Sequence, residues 1–243
     1  ALDPLHHAPD PPLRGTIVHR ILERFISEGP VTDLDDGIAR LSRIADSVLL
    51  AEAAWPAARR IWKIRLMRVA EWFVTTEIER QETHTPLLLE HKGRLLLPDL
   101  DVTLYGKPDR IDARDDGHLV VYDYKTGAPP SKPQQTHFDK QLMLAALIAE
   151  QGGLEGMDAR TVAQIAYIGL GASPKFEPVT LEPGDVAQVS ADLHKLLAAY
   201  QARSRGYTSR RAVDLRGYGG DYDHLARFGE WDQSHDPDVQ EVG

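Results

Sequence analysis

Apolar residues return at helical spacing over the first third of the chain and at strand spacing over its middle. From Gly15 to Glu28, the residues Ile17, Val18, Ile21, Leu22, Phe25 and Ile26 share one helix face, and Gly29-Pro30 ends the pattern. A second helix is predicted from about Leu34 to Ala53, with Ile38, Leu41, Ile44, Val48 and Leu49 as its buried stripe. Trp55-Pro56 opens a third, because proline is tolerated in a first turn. It runs to roughly Glu79, with Ile61, Ile64, Leu66, Val69, Trp72 and Phe73 apolar. Strand patterns begin near Leu87. Leu87 to His91 and Arg94 to Leu97 flank Lys92-Gly93, a hairpin signal. Val102 to Ala113 and Leu119 to Lys125 follow, separated by Asp115-Asp116-Gly117. A loop over Gly127 to Pro133, a helix over Phe138 to Gln151 and strands over Val162 to Leu170 and Phe176 to Leu181 come next. A last helix starts at Pro183 and reaches about Arg203, with Val186, Val189, Leu193, Leu196, Leu197 and Tyr200 inside. This order predicts an α/β fold with an N-terminal helical portion.

Composition adjusts the outline. Residues 1–13 carry Pro4, Pro9, Pro11 and Pro12 and read as an extended arm; residues 14–205 hold the domain, and residues 206–243 turn polar and Gly-rich. The 243 residues are 42% hydrophobic, enough for a real core. No apolar run approaches the ~20 residues of a membrane span. The opening stretch lacks the basic and apolar regions of a secretory signal. It also lacks an initiator methionine, so an excised domain is expected. Absence of cysteine excludes disulfides, a zinc–thiolate site and an iron–sulfur cluster, and fits a cytoplasmic location.

The densest chemistry lies in Gly106-Lys107-Pro108-Asp109-Arg110-Ile111-Asp112 and Val120-Val121-Tyr122-Asp123-Tyr124-Lys125-Thr126-Gly127. A strand turns alternate side chains to one face, so Asp123 and Lys125 point together while Tyr122 and Tyr124 point away. If the strand carrying Asp109 pairs alongside, two carboxylates and an ammonium meet. Two hard oxygen ligands suit a divalent cation such as magnesium, which keeps waters and is held by carboxylates plus substrate phosphate. Such an ion generates hydroxide and stabilises charge on phosphate. The lysine can orient or deprotonate water, or neutralise the transition state. Glycoside hydrolysis by the two acids leaves Lys125 idle.

Pro108-Asp109 followed by Asp123-Tyr124-Lys125 resembles the PD-(D/E)xK nuclease superfamily, and Asp-Tyr-Lys-Thr-Gly resembles its RecB-like branch. The resemblance implies a restriction-endonuclease-like mixed sheet flanked by helices. Gly15 to Glu23 is similar to the Gly-x-x-x-His-x-x-Leu-Glu motif of that branch, which implies that His19 reaches the metal site. Glu23 is then expected to orient His19, and Glu90 to join the site from its strand. Gln141 matches the first position of a Gln-x-x-x-Tyr motif and would brace substrate or lysine, but Ala145 stands at the tyrosine position. Asp109 and Asp123 would bind Mg2+ or Mn2+, with the Tyr124 carbonyl as a backbone ligand. The stretch Tyr218 to Trp231 resembles the C-terminal end of AddB-type subunits of the AddAB helicase–nuclease, most of all the alphaproteobacterial type. That likeness implies single-stranded DNA as substrate in double-strand break repair, with an AddA-type subunit and the rest of a longer subunit as partners. It also implies that residues 206–243 dock on the nuclease domain. Without cysteine, this chain carries no iron–sulfur cluster of the kind many AddB proteins have.

Net charge of −9 argues against tight DNA binding by the domain alone, since phosphate neutralisation dominates affinity. Distribution matters more than the sum. Arg59, Arg60, Lys63, Arg65 and Arg68 form one basic group and Arg203, Arg205, Arg210, Arg211 and Arg216 another. Arg59, Arg60, Lys63, Arg210 and Arg211 are the expected DNA contacts. The alternative function is a non-catalytic DNA-end-binding or assembly module, which Ala145 and the acidic balance favour.

Overall fold

A computed structural model describes residues 9–206 and Glu230. Arg210, Arg211, Arg216 and the stretch Tyr218 to Gly229 therefore lie outside the described residues, as do Trp231 and the proline at position 4. The chain divides into two compact units, one of residues 8–191 and one combining 1–7 with 192–243.

Four helices come first. α1 (Pro11–Ser27) starts earlier than the proline-rich arm suggests: Asp10 caps it, accepting the Leu13 N–H at 2.8 Å, and Pro11 and Pro12 fill the first turn. α2 (Leu34–Glu52) is capped by Asp33. The single helix expected from Trp55 to Glu79 is two, α3 (Pro56–Met67) and α4 (Ala70–Gln81). The break falls at β-branched Val69 and resets the rotation, so α3 buries Ala58, Trp62 and Leu66 while α4 buries Phe73, Val74 and Glu77. Ile61 and Ile64, expected inside, are half exposed at 50% and 54%.

The strands also part company with local expectation. β1 (His84–Leu89) and β2 (Gly93–Leu97) do not form a hairpin. β2 pairs with β3 (Val102–Gly106), whereas β1 pairs with β4 (Arg110–Arg114). The run from Val102 to Ala113 is thus broken between Gly106 and Arg110, where Pro108 removes a ladder donor. β5 (Leu119–Lys125) pairs antiparallel with β4 and parallel with β6 (Val162–Gly169), and β7 (Lys175–Thr180) closes the order β1-β4-β5-β6-β7. A parallel pair needs a crossover. It is supplied by α5 (Lys132–His137), which starts in the expected loop, and α6 (Gln141–Glu150); Phe138 lies between them. The last helix, α7 (Asp185–Gln201), buries only Val186 among the stripe expected inside.

The result is a mixed α/β sheet flanked by helices, consistent with a restriction-endonuclease-like fold. Val120, Tyr122, Tyr124, Ala166 and Ile168 pack with α1 to α4 in one core. α6 packs against β5 and β6, and against β2 and β3. Gly106 permits that approach, since a Cβ there would lie 2.7 Å from Ile148 Cδ1.

Candidate active site

Alternation along β5 buries the rings of Tyr122 and Tyr124 on the helical side and turns Asp123 and Lys125 to the other. Lys125 Nζ is 2.7 Å from Asp123 Oδ2 and stands over the Tyr167 ring. That carboxylate oxygen is buried and has no aligned hydrogen-bond donor, so the lysine serves it as a charge rather than as a bonded partner. Burial and the nearby charge of Asp109 push the Asp123 carboxyl up to about 6, and Lys125 offsets this only in part.

Asp109 precedes β4 at the break that Pro108 makes. Its Oδ2 accepts the Tyr124 N–H at 2.7 Å, which ties the two strands at the site, and its Oδ1 lies 3.3 Å from His19 Nδ1. His19 arrives from α1. Its Nε2 donates to the Tyr124 carbonyl at 2.8 Å, the carbonyl expected as a metal ligand. That bond leaves Nδ1 facing Asp109 and Glu90 at 3.3 Å each. Burial opposes a charged imidazole here, but the Asp109 and Glu90 carboxylates outweigh it and raise the group to about 10.

Glu90 sits just past β1 in the left-handed region, with φ of 49°, a conformation that costs a non-glycine residue energy and concentrates at functional sites. Its N–H donates to the Asp109 carbonyl at 2.9 Å, and its carboxylate pairs with Lys107 as well as His19. His19 and Lys107 together hold Glu90 below the ordinary carboxylate range despite its burial. Gln141, first residue of α6, lines a cavity of about 150 Å3 with Asp109 and Asp123.

Other expected residues lie elsewhere. Glu23 pairs with Arg20 at 3.5 Å, and the acid that meets His19 is Glu90 instead. Arg59 bonds the Ala53 carbonyl at the end of α2, Lys63 pairs with Asp46 at 2.6 Å, and Arg60 is exposed on α3. Two side chains went unnoticed in the sequence. Lys107 stood inside the informative run itself, so its neighbours were the signal. Arg14 gave none: it reaches Thr126 Oγ1 at 3.4 Å from the first turns of α1.

The donor set fits a divalent cation. Ligand atoms of His19, Glu90 and Asp109 lie within 4.8 Å of one another, and Asp123 adds a buried oxygen without a donor. The family model of the PD-(D/E)XK nuclease superfamily matches residues 2–212, and the chain belongs to that superfamily. Similar proteins include uncharacterised ones from Rickettsia felis and Rickettsia typhi. Each is 25% identical, over 66% and 65% of this chain and 20% and 19% of theirs. The chain thus spans about a fifth of the length of these relatives. Their names assign no activity, so they lend the narrower AddB likeness nothing. A solved structure, that of SSO0001, shares 12% identity over 80% of this chain and 99% of its own, at a TM-score of 0.29.

Proposed function

We propose that the chain is the nuclease module of a helicase–nuclease, cutting single-stranded DNA as a Mg2+- or Mn2+-dependent exonuclease during double-strand break repair. The observation that carries this reading is the meeting of His19, Glu90, Asp109, Asp123 and Lys125 at the C-terminal end of β5. Asp109, Asp123, Glu90 and His19 Nδ1 would hold the cation. The carboxylates suit magnesium, and an imidazole in the set suits manganese better. When bound, it supplies Lewis acidity toward a phosphoryl oxygen and acidifies water.

The chain's own groups do the rest. The Tyr124 carbonyl fixes the His19 ring with its Nδ1 toward the acids. Lys125, with a side chain 30% exposed, orients the attacking water and offsets charge gathering on the phosphate. Gln141 braces the strand from the cavity wall. A net charge of −9 leaves little grip on DNA, and the chain spans a fifth of its relatives. Both favour delivery of the strand by an AddA-type subunit and the rest of a longer chain. Assembly raises the local concentration of DNA without new contacts.

Labelled single-stranded DNA, incubated with magnesium, manganese or chelator, tests the reading. Cleavage should require the metal, be slow and salt-sensitive for these residues alone, and accelerate in the complex. Metal-independent binding with no cleavage under any condition would favour the non-catalytic module, the reading that Ala145 supports.

A further inference from the structure

The cavity beside the carboxylates has two ends of different chemistry. Asp109, Asp123 and Gln141 form one; Leu104, Leu142, Ala145 and Ile148 form the other, and Tyr105 completes the lining. Tyr105 is 74% exposed, an aromatic ring left standing in water at the edge of a polar site. The apolar wall cannot give much. Where β2 and β3 meet α6, a Cβ at either Gly93 or Gly106 would come 2.7 Å from the Ile148 side chain. Ala145, 5% exposed, contributes only a methyl group, and that small side chain is what leaves room.

A volume of about 150 Å3 with apolar walls accepts a benzene-sized ring. We propose that this end of the cavity is a base pocket, which takes one unstacked nucleobase of the strand being cut, beside the scissile phosphate, with Tyr105 stacking at the rim. The proposal rests on the nuclease reading and deepens it. Every base offers a π face to apolar and aromatic groups, so such a pocket tolerates sequence while demanding a base. A base in duplex DNA is stacked and paired and must be extruded first, whereas an unpaired one enters directly. The pocket is therefore a source of preference for single strands. The Gln141 amide, at the polar end, can both donate to and accept from the edge of the base.

The test uses single strands carrying one abasic site at successive positions, cut by the complete protein in its complex. At one position near the cut, loss of the base should lower kcat/KM at least about fivefold, the low end of what one stacked base contributes. Ala145→Phe fills the pocket and should erase that difference between intact and abasic strands. Tyr105→Ala, at an exposed position that does not threaten folding, should shrink it. Binding is read separately in chelator, with 2-aminopurine in the strand and the Asp123→Asn protein: quenching at that same position is expected, and weaker quenching after Tyr105→Ala. Cleavage with no abasic penalty at any position overturns the pocket and leaves the nuclease reading standing. A penalty that survives both substitutions also overturns it. Quenching at one position without cleavage under any metal overturns the nuclease reading and upholds the pocket.

Discussion

Asp109 and Arg110 are consecutive, yet they serve two charged clusters on opposite faces of the sheet. Arg110 pairs in register with Tyr122 and points at the helices. It is wholly buried. Its guanidinium binds both oxygens of Asp112, at 2.6 and 2.7 Å, reaches Glu77 Oε2 at 2.8 Å and touches the Tyr124 hydroxyl at 3.4 Å. Arg80 closes the network on Glu77 from the next turn of α4 and covers the Tyr122 ring. Its positive charges sit on guanidinium groups that never deprotonate in proteins. On the other face, Glu90, Asp109 and Asp123 are balanced by Lys107, Lys125 and a proton on His19. One cluster is permanently neutralised and rigid; the other depends on a proton that a divalent cation would displace. The difference separates a group that holds β4 in place from a group that waits for a ligand.

The largest effects should fall on the two clusters in opposite currencies. Asp123→Asn and Lys125→Ala should each lower cleavage by about a thousandfold, the cost of removing a group that stabilises charge in the transition state. Neither should cost stability; Asp123→Asn should raise it slightly, because burial and Asp109 disfavour that carboxylate. Denaturant unfolding beside a cleavage assay checks both halves. Arg110→Ala should do the reverse to stability, losing about 3–5 kcal/mol, because Glu77 and Asp112 are left buried without their partner. A loss below about 1 kcal/mol would show that the network is dispensable.

A smaller effect distinguishes the clusters by what binds them. Manganese at about 100 times its dissociation constant should stabilise the parent by about 2.7 kcal/mol in thermal unfolding. Asp109→Asn should lose most of that gain and Arg60→Ala none of it. An undiminished gain in Asp109→Asn would place the cation elsewhere.

Much of the site was legible because strand alternation and a helix repeat are local. Asp123 and Lys125 share a face by spacing alone, and the stripe from Ile17 to Ile26 set His19 on the rim of α1. Gln141 and Glu90 followed from resemblance to neighbouring motifs. What stayed hidden was non-local. Arg110 meets Glu77 across 33 positions, and no periodicity announces a buried guanidinium; Arg110 and Asp112 alternating about Ile111 were the faint signal. Strand pairing failed for the same reason. Lys92-Gly93 is adequate turn chemistry, but β1 gains more by joining the central sheet through β4 than by pairing with β2. In α3 the apolar repeat offered two registers, and Ile61 and Ile64 belonged to the one that faces water.

The smallest expected effect probes the proton itself, in protein kept free of metal by chelator. Unfolded, His19 titrates at about 6.5; folded, Asp109 and Glu90 overcome its burial and raise it to about 10. A group whose folded pKa is raised contributes stability that is complete below the unfolded value and declines as pH climbs toward the folded one. Stability of the parent minus that of His19→Gln should therefore be largest near pH 6 and fall steadily toward pH 10. Water reaching a side chain that is 25% exposed will blunt the slope without changing its sign. The arginine network cannot produce such a slope, because its cations stay charged throughout. Difference curves that run flat from pH 6 to pH 10 would mean that His19 is neutral in the metal-free protein. The carboxylates would then be balanced by Lys107 and Lys125 alone.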